Sequence, residues 1–205
     1  MMTEAKYEEG CGVAKIAYQK SEYKREGYNK VSAGCDEAVF RIGNEKITIG
    51  VAGSNDGWDW ANNLRFIGTY SRLYGRMPKG FMVNLDRLGH KVLNQISGHQ
   101  DKPLEIYAHS RGFPVAAGLA IYLNKFGFNI KVLWGWGSPN IGKQSCMDRL
   151  HKLDADIQMF ENLRDFVPCT PPRMFGYKKP VKPVKVYSKT GHAINSYLHN
   201  KPATR

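Results

Sequence analysis

The sequence is poor in cysteine and has no paired cysteines. Its four cysteines are scattered along the chain and form no C-x-x-C pair; they are Cys11, Cys35, Cys146 and Cys169. With no histidine spacing typical of a zinc site either, we expect no bound metal and no other cofactor. We expect free thiols, with two disulfides as the alternative if the chain reaches an oxidising compartment.

Long apolar segments are also missing. Residues 1–10 are polar and acidic, so they have neither the basic start nor the apolar run of a secretory signal. The longest nearly continuous apolar run, residues 113–123, is too short to cross a bilayer. These two absences predict a cytoplasmic protein without a transmembrane segment.

Acidic residues are few compared with basic ones. Asp and Glu number 18 and Lys and Arg 30, which gives a net charge of +12. This charge favours anionic partners such as phosphorylated substrates, an acidic membrane surface or nucleic acid, and a solvated basic surface is the alternative. The basic stretch at residues 178–189 contains no known nucleic-acid motif, so we do not expect a nucleic-acid partner. Nothing in the sequence indicates an oligomeric state.

Predicted strands and helices alternate through the centre of the chain. Hydrophobic periodicity predicts helices at residues 13–21, 81–96 and 114–126, a loop at 23–32, a partly helical segment at 58–67, and strands at 38–42, 47–52, 104–108, 132–136, 157–160 and 184–187. A length of 205 residues fits one domain with a sizeable core. The alternation predicts an α/β fold, a mainly parallel central sheet with helices on both faces, over residues 1–205.

A serine lies on a short turn between one of these strands and the following helix. The segment is Ala108-His109-Ser110-Arg111-Gly112. A sharp turn here would raise the Ser110 hydroxyl above the sheet, and it needs small flanking residues because strand and helix crowd it. Gly112 satisfies that need, and Ala108 adds only one methyl group. Ser110 is therefore a candidate nucleophile, and the alternative is an ordinary connection that contains a serine.

An acid and a histidine follow the serine in the chain. Asp165 comes after the predicted strand at 157–160, whereas Asp154 and Asp156 precede that strand and should lie at its other end. Two histidines follow Asp165, namely His192 and His199, and His199 lies close to the end of the chain. His109, beside the serine, is interpreted as a packing or pocket-lining residue.

The chain resembles the class 3 (fungal-type) lipases of the α/β-hydrolase superfamily over roughly residues 13–198. The segments that carry the resemblance, in the family's order, are VAKIAY at 13–18, VAGS at 51–54 with DW at 59–60 and NL at 63–64, KGF at 79–81, the serine turn, GWGSPNIG at 135–142, DFVP at 165–168 with PP at 171–172, and His192 with Tyr197-Leu198. Three positions depart from the pattern: Ala108 replaces a glycine, Ala52 an arginine, and Pro78 a histidine.

The resemblance implies a serine carboxylic ester hydrolase that forms an acyl-enzyme. Ser110, Asp165 and His192 would be catalytic, in the serine–acid–histidine order of this superfamily. The backbone N–H groups of Arg111 and Ser54 would form the oxyanion hole.

The expected substrate is a lipid or small ester. Residues 55–59, between Ser54 and Trp60, leave little room for a lid, which favours an esterase or phospholipase over a triglyceride lipase. An anionic membrane surface is a further candidate partner because of the positive charge. The alternatives are an inactive hydrolase-fold binding protein and a basic nucleic-acid-binding protein.

Overall fold

The computed structural model describes residues 2–53, 68–188 and 191–199. Three sequence-based predictions lie outside these residues: the oxyanion donor Ser54, the short lid segment at 55–59, and the partly helical segment at 58–67. No helix in the described part of the chain has the length and hydrophobicity needed to cross a membrane.

A seven-stranded sheet forms the centre of the molecule, with the strand order β1-β2-β3-β6-β7-β8-β9. Its strands are β1 (Asn29–Ala33), β2 (Asp36–Ile42), β3 (Ile47–Val51), β6 (Leu104–His109), β7 (Ile130–Trp136), β8 (Asp156–Asn162) and β9 (Val184–Val186). The first three strands pair antiparallel, and every pair from β3 to β9 is parallel. A separate hairpin consists of β4 (Gly68–Ser71) and β5 (Gly75–Pro78).

Helices cover both faces of this sheet. They are α1 (Glu4–Ile16), α2 (Lys79–Met82), α3 (Leu85–Ile96), α4 (Gly112–Lys125), α5 (Gln144–Leu150) and α6 (Ile194–Leu198). Side chains alternate between two cores along β6: Ile106 packs in one with α3 and α4, and Tyr107 packs in the other with α1. The predicted α/β fold with a mainly parallel sheet and helices on both faces is therefore confirmed.

The N-terminal predictions were wrong in position. The first helix occupies residues 4–16 rather than 13–21, because the Thr3 side chain caps it by accepting a hydrogen bond from the Lys6 N–H at 3.2 Å. The segment at 23–32, predicted as a loop, contains most of β1. Since β1 lies at the sheet edge and only its last residue, Ala33, is buried, it carries no alternating hydrophobic pattern for a sequence to show.

Later elements lie close to their predicted positions. Each of the six predicted strands is present with its ends shifted by two residues at most. The single helix predicted at 81–96 is divided into α2 and α3 at Val83 and Asn84, where Asn84 has φ −113° and ψ 0°. The hairpin of β4 and β5 and the short helix α5 were not predicted.

The parallel strands bring five loops to one edge of the sheet. Their carboxyl ends lead to Gly53 after β3, Ser110 after β6, Gly137 after β7, Asp165 after β8 and His192 after β9. Asp156 is the first residue of β8, and Asp154 precedes it, so both begin at the opposite edge. Ligands of open parallel sheets bind at the carboxyl edge, so we expect a functional site at this edge.

Candidate active site

Ser110 occupies a strained turn between β6 and α4. Its φ of +57° is in the left-handed region, which residues other than glycine rarely adopt. The Ser110 N–H donates to the Trp136 carbonyl at 2.8 Å, and the Ser110 carbonyl accepts from the Phe113 N–H at 3.1 Å. A methyl group on Gly112 would lie 2.5 Å from the Val51 carbonyl oxygen, so only glycine allows α4 to start this close to β3.

His192 lies between Ser110 and Asp165. The Ser110 Oγ is 2.6 Å from His192 Nε2, and His192 Nδ1 is 2.7 Å from Asp165 Oδ2. A carboxylate only accepts hydrogen bonds, so Nδ1 carries the ring proton and Nε2 is left to accept from the serine hydroxyl. The structure thus brings together the three residues selected from the sequence as nucleophile, base and acid.

The alternative residues lie elsewhere. Asp156 accepts a hydrogen bond from the Trp134 indole at 3.2 Å at the far edge of the sheet, and Asp154 is in a left-handed turn next to it. His199 follows α6 as its C-terminal cap.

The Asp165 carboxylate is buried and accepts three hydrogen bonds. Oδ2 accepts from His192 and from the Tyr197 hydroxyl at 2.8 Å, while Oδ1 accepts from the Val167 N–H at 3.0 Å. Burial and the adjacent carboxylate raise the pKa of Tyr197, so this hydroxyl stays protonated and can donate. Gly137, with φ +58°, packs against Asp165 and Tyr197, since a methyl group there would lie 2.9 Å from Asp165 Oδ2 and 3.0 Å from the Tyr197 hydroxyl.

His109 connects the His192 loop to the residue that follows β3. Its Nε2 is 2.8 Å from the His192 carbonyl oxygen, which can only accept, so Nε2 carries the proton. Its Nδ1 then accepts from the Tyr18 hydroxyl at 2.8 Å, and the Tyr18 oxygen accepts from the Gly53 N–H at 2.9 Å. Burial, with a contribution from His192, lowers the pKa of His109 to about 3, so its ring stays neutral.

This network gives His109 a more specific position than the packing role expected from the sequence. Tyr18 was missed as a residue of the site. Its only signal was its place at the end of the VAKIAY segment.

One of the two expected oxyanion donors can be located. The Arg111 N–H directly follows the serine, and within residues 2–53, 68–188 and 191–199 no acceptor pairs with it. Ser54 lies outside the described residues, but its neighbour Gly53 reaches the turn: a methyl group on Gly53 would lie 2.9 Å from Ser110 Cβ.

The basic stretch at residues 178–189 is partly used inside the fold. Lys178 donates to Gln144 at 2.8 Å, Lys185 pairs with Glu161 at 2.7 Å, and Lys179 is buried against the same Glu161. Burial lowers the pKa of Lys179. This stretch therefore offers fewer cations to an anionic surface than its sequence indicates.

The cysteines are free thiols, as expected. In the described part of the chain, no group of three or more His, Cys, Asp or Glu side chains could hold a metal ion.

Several solved structures of fungal lipases are similar to this chain. A Rhizomucor miehei lipase in complex with its propeptide is 18% identical with a TM-score of 0.73, over 90% of this chain and 70% of that chain. A mutant of the Penicillium cyclopium protein MDLA is 15% identical with a TM-score of 0.76, over 98% of this chain and 87% of that chain. A triacylglycerol lipase whose catalytic centre is a serine protease triad is 18% identical with a TM-score of 0.73, over 92% and 82% of the two chains.

No family model and no curated protein sequence matches the chain. At identities this low, similarity of structure establishes the fold, and it does not by itself establish the reaction. The resemblance to the fungal-type lipases thus holds in three dimensions: the chain has the α/β-hydrolase fold that these lipases share.

Proposed function

We propose that the protein is a serine carboxylic ester hydrolase of the fungal-type lipase family, built as one hydrolase domain. The observation that carries the proposal is the hydrogen-bonded series Ser110 Oγ, His192 and Asp165, with distances of 2.6 and 2.7 Å. The three side chains come from different loops at the carboxyl edge of the sheet, where a substrate can approach all of them.

The hydrogen-bond directions give each residue a role in acyl transfer. Ser110 Oγ attacks the ester carbonyl carbon while its proton moves to His192 Nε2, and Asp165 stabilises the imidazolium that forms. The carbonyl oxygen becomes an oxyanion, held by the backbone N–H groups of Arg111 and Ser54. His192 then protonates the departing alkoxide, which leaves as the alcohol. In the second half, His192 takes a proton from water, and the resulting attack on the acyl-enzyme releases the acid and restores Ser110.

The proposed substrates are esters with an apolar acyl group, either lipids or small esters. Two large apolar side chains on the segment that carries Asp165 are exposed, namely Leu163 and Phe166. Exposed apolar side chains next to the proposed acid favour a ligand that is itself apolar. The lipase structures with the same fold support this class of substrate, because a triacylglycerol lipase is among them.

The proposal is tested with p-nitrophenyl esters of increasing chain length and with phospholipids. Ser110→Ala should lower turnover by about 10³-fold or more, because a triad enzyme loses its nucleophile. Ser138→Ala is the matched control: it is a buried serine on the next loop, bonded to the Pro139 carbonyl at 2.9 Å, and should keep native turnover.

Two results would contradict the proposal. Native turnover in Ser110→Ala would exclude this serine as the nucleophile. No hydrolysis by the native protein and no labelling of Ser110 by a fluorophosphonate would instead favour an inactive hydrolase-fold binding protein.

A further inference from the structure

The side chain of Arg111 is buried beneath the serine turn. Its exposed fraction is 8%, and that of its partner Asp36 is 1%, with 2.5 Å between Arg111 Nη1 and Asp36 Oδ1. The second terminal nitrogen, Nη2, donates to the Gly80 carbonyl at 3.0 Å. Nη2 also donates to the Cys35 sulfur at 3.6 Å. The guanidinium is therefore held by a carboxylate, a backbone carbonyl and a sulfur atom, and we call this arrangement the Arg111 clamp.

The acceptors of the Arg111 clamp belong to different elements. Asp36 is the first residue of β2, and its other oxygen accepts from the Asn84 amide at 3.1 Å, at the start of α3. Gly80 lies within α2. One side chain thus ties the residue after Ser110 to β2, α2 and, through Asp36, to α3.

The clamp fixes a residue whose own N–H is proposed to bind the oxyanion. Arg111 has φ −54° and ψ −24° and is the N-cap residue of α4, so its amide and its side chain both extend from the short turn after Ser110. A planar guanidinium donates to these acceptors in fixed directions, which an apolar side chain at this position could not do. Oxyanion donors act only when they are aimed at the position of the developing charge, and an error of about 1 Å in such groups can cost about 10²-fold in rate.

Stability alone does not account for this pair. A buried ion pair is weak support for stability, because removing two charges from water offsets much of their attraction.

We propose that Arg111 is a positioning residue, whose side chain, clamped by Asp36 and Gly80, orients its own backbone N–H toward the oxyanion. The inference rests on the proposed ester hydrolysis. It predicts a loss confined to the transition state, since the ground-state ester carries no oxyanion to be misaligned.

The test measures kcat and KM for a p-nitrophenyl ester in Arg111→Met, Arg111→Lys and Asp36→Asn. We expect Arg111→Met to lower kcat by about 10- to 100-fold with little change in KM, the pattern of a lost transition-state interaction. Asp36→Asn should lower kcat in the same way, since it replaces the charged acceptor of Arg111 Nη1 with a neutral amide. Arg111→Lys should recover part of the loss, because an ammonium can reach Asp36 but does not form the same two-direction fork.

Glu105→Gln is the matched control for loss of a charge pair. Glu105 pairs with Lys46 at 2.7 Å and with Lys6 at 3.3 Å, and it lies near the start of β6, at the edge remote from Ser110. Its substitution should lower the urea midpoint of unfolding and leave kcat unchanged. Labelling of Ser110 by a fluorophosphonate gives an independent readout, and the Arg111 and Asp36 variants should react more slowly than the control.

The possible results separate the two proposals. Native kcat in a folded Arg111→Met overturns the positioning role and leaves the proposed ester hydrolysis intact. If Arg111→Met does not fold, native kcat in Asp36→Asn overturns the positioning role in the same way. An equal fall of kcat in Glu105→Gln also overturns it, because the loss would then follow from stability. No hydrolysis by the native protein refutes the proposed function, and the positioning role with it.

Discussion

His109 makes the stability of the protein depend on pH in a direction that can be calculated. Its ordinary pKa is 6.5, and burial lowers it to about 3 in the folded protein. Below pH 6.5, His109 is protonated in the unfolded chain but stays neutral in the folded protein. Lowering the pH therefore favours unfolding. The contribution of the neutral ring is fully present above pH 6.5 and is lost progressively as the pH falls toward 3.

The size of the effect follows from the same two values. Each pKa unit corresponds to about 1.4 kcal/mol, and pH 5 lies 1.5 units below the ordinary pKa of 6.5, so His109 should lower the free energy of unfolding by about 2 kcal/mol between pH 7.5 and pH 5. In a protein of this size that loss corresponds to about 4–8 °C in the melting temperature. Structurally, protonation of Nδ1 would remove the acceptor to which the Tyr18 hydroxyl donates.

Urea unfolding of native protein and His109→Gln at pH 7.5 and pH 5 measures this difference. The variant is expected to be less stable at both pH values, because a buried network is altered, but its loss between them should be about 2 kcal/mol smaller. His90→Gln, which removes an exposed histidine on α3, should keep the native dependence. The same pH dependence in native protein and His109→Gln would refute the reasoning.

Two further changes test the surroundings of His192. Asp165→Asn should lower turnover by about 10⁴-fold in the ester assay, because an amide can favour the wrong tautomer of His192; a loss below about 10-fold would remove Asp165 as the acid. Tyr18→Phe removes the acceptor of the Gly53 N–H and the donor to His109. It should lower the free energy of unfolding by about 1–3 kcal/mol, measured in urea, and a native midpoint would show that these hydrogen bonds contribute nothing net.

The parts of the fold predicted from sequence were those with a local hydrophobic pattern. β6 and α4, which flank Ser110, carry nearly continuous apolar residues and were located within a few residues. β1 and the start of α1 were misplaced, because one is an exposed edge strand and the other is a helix whose first turn is polar. Local patterns say little about such elements, whose position is decided by packing and capping.

The candidate site divides in the same way. Ser110, Asp165 and His192 could be selected because each is a chemically suitable residue after a predicted strand, and the order of the three is informative. Their hydrogen-bonded neighbours could not be selected, since Tyr18 meets His109, and Asp36 meets Arg111, only when segments far apart in the sequence fold together. Contacts of that kind leave no periodicity in the chain.

These distant contacts account for how the serine turn keeps its conformation. A non-glycine residue at φ +57° stores about 1–3 kcal/mol of strain, which persists only where the surroundings over-determine the backbone. The residues on either side of Ser110 supply that restraint from opposite directions. His109 is bonded toward Tyr18 and the His192 loop, and Arg111 toward β2 and α2. The same hydrogen bonds also hold His192 and the Arg111 backbone. They therefore restrain the strained turn and, at the same time, fix the two groups that the proposed reaction needs in defined positions.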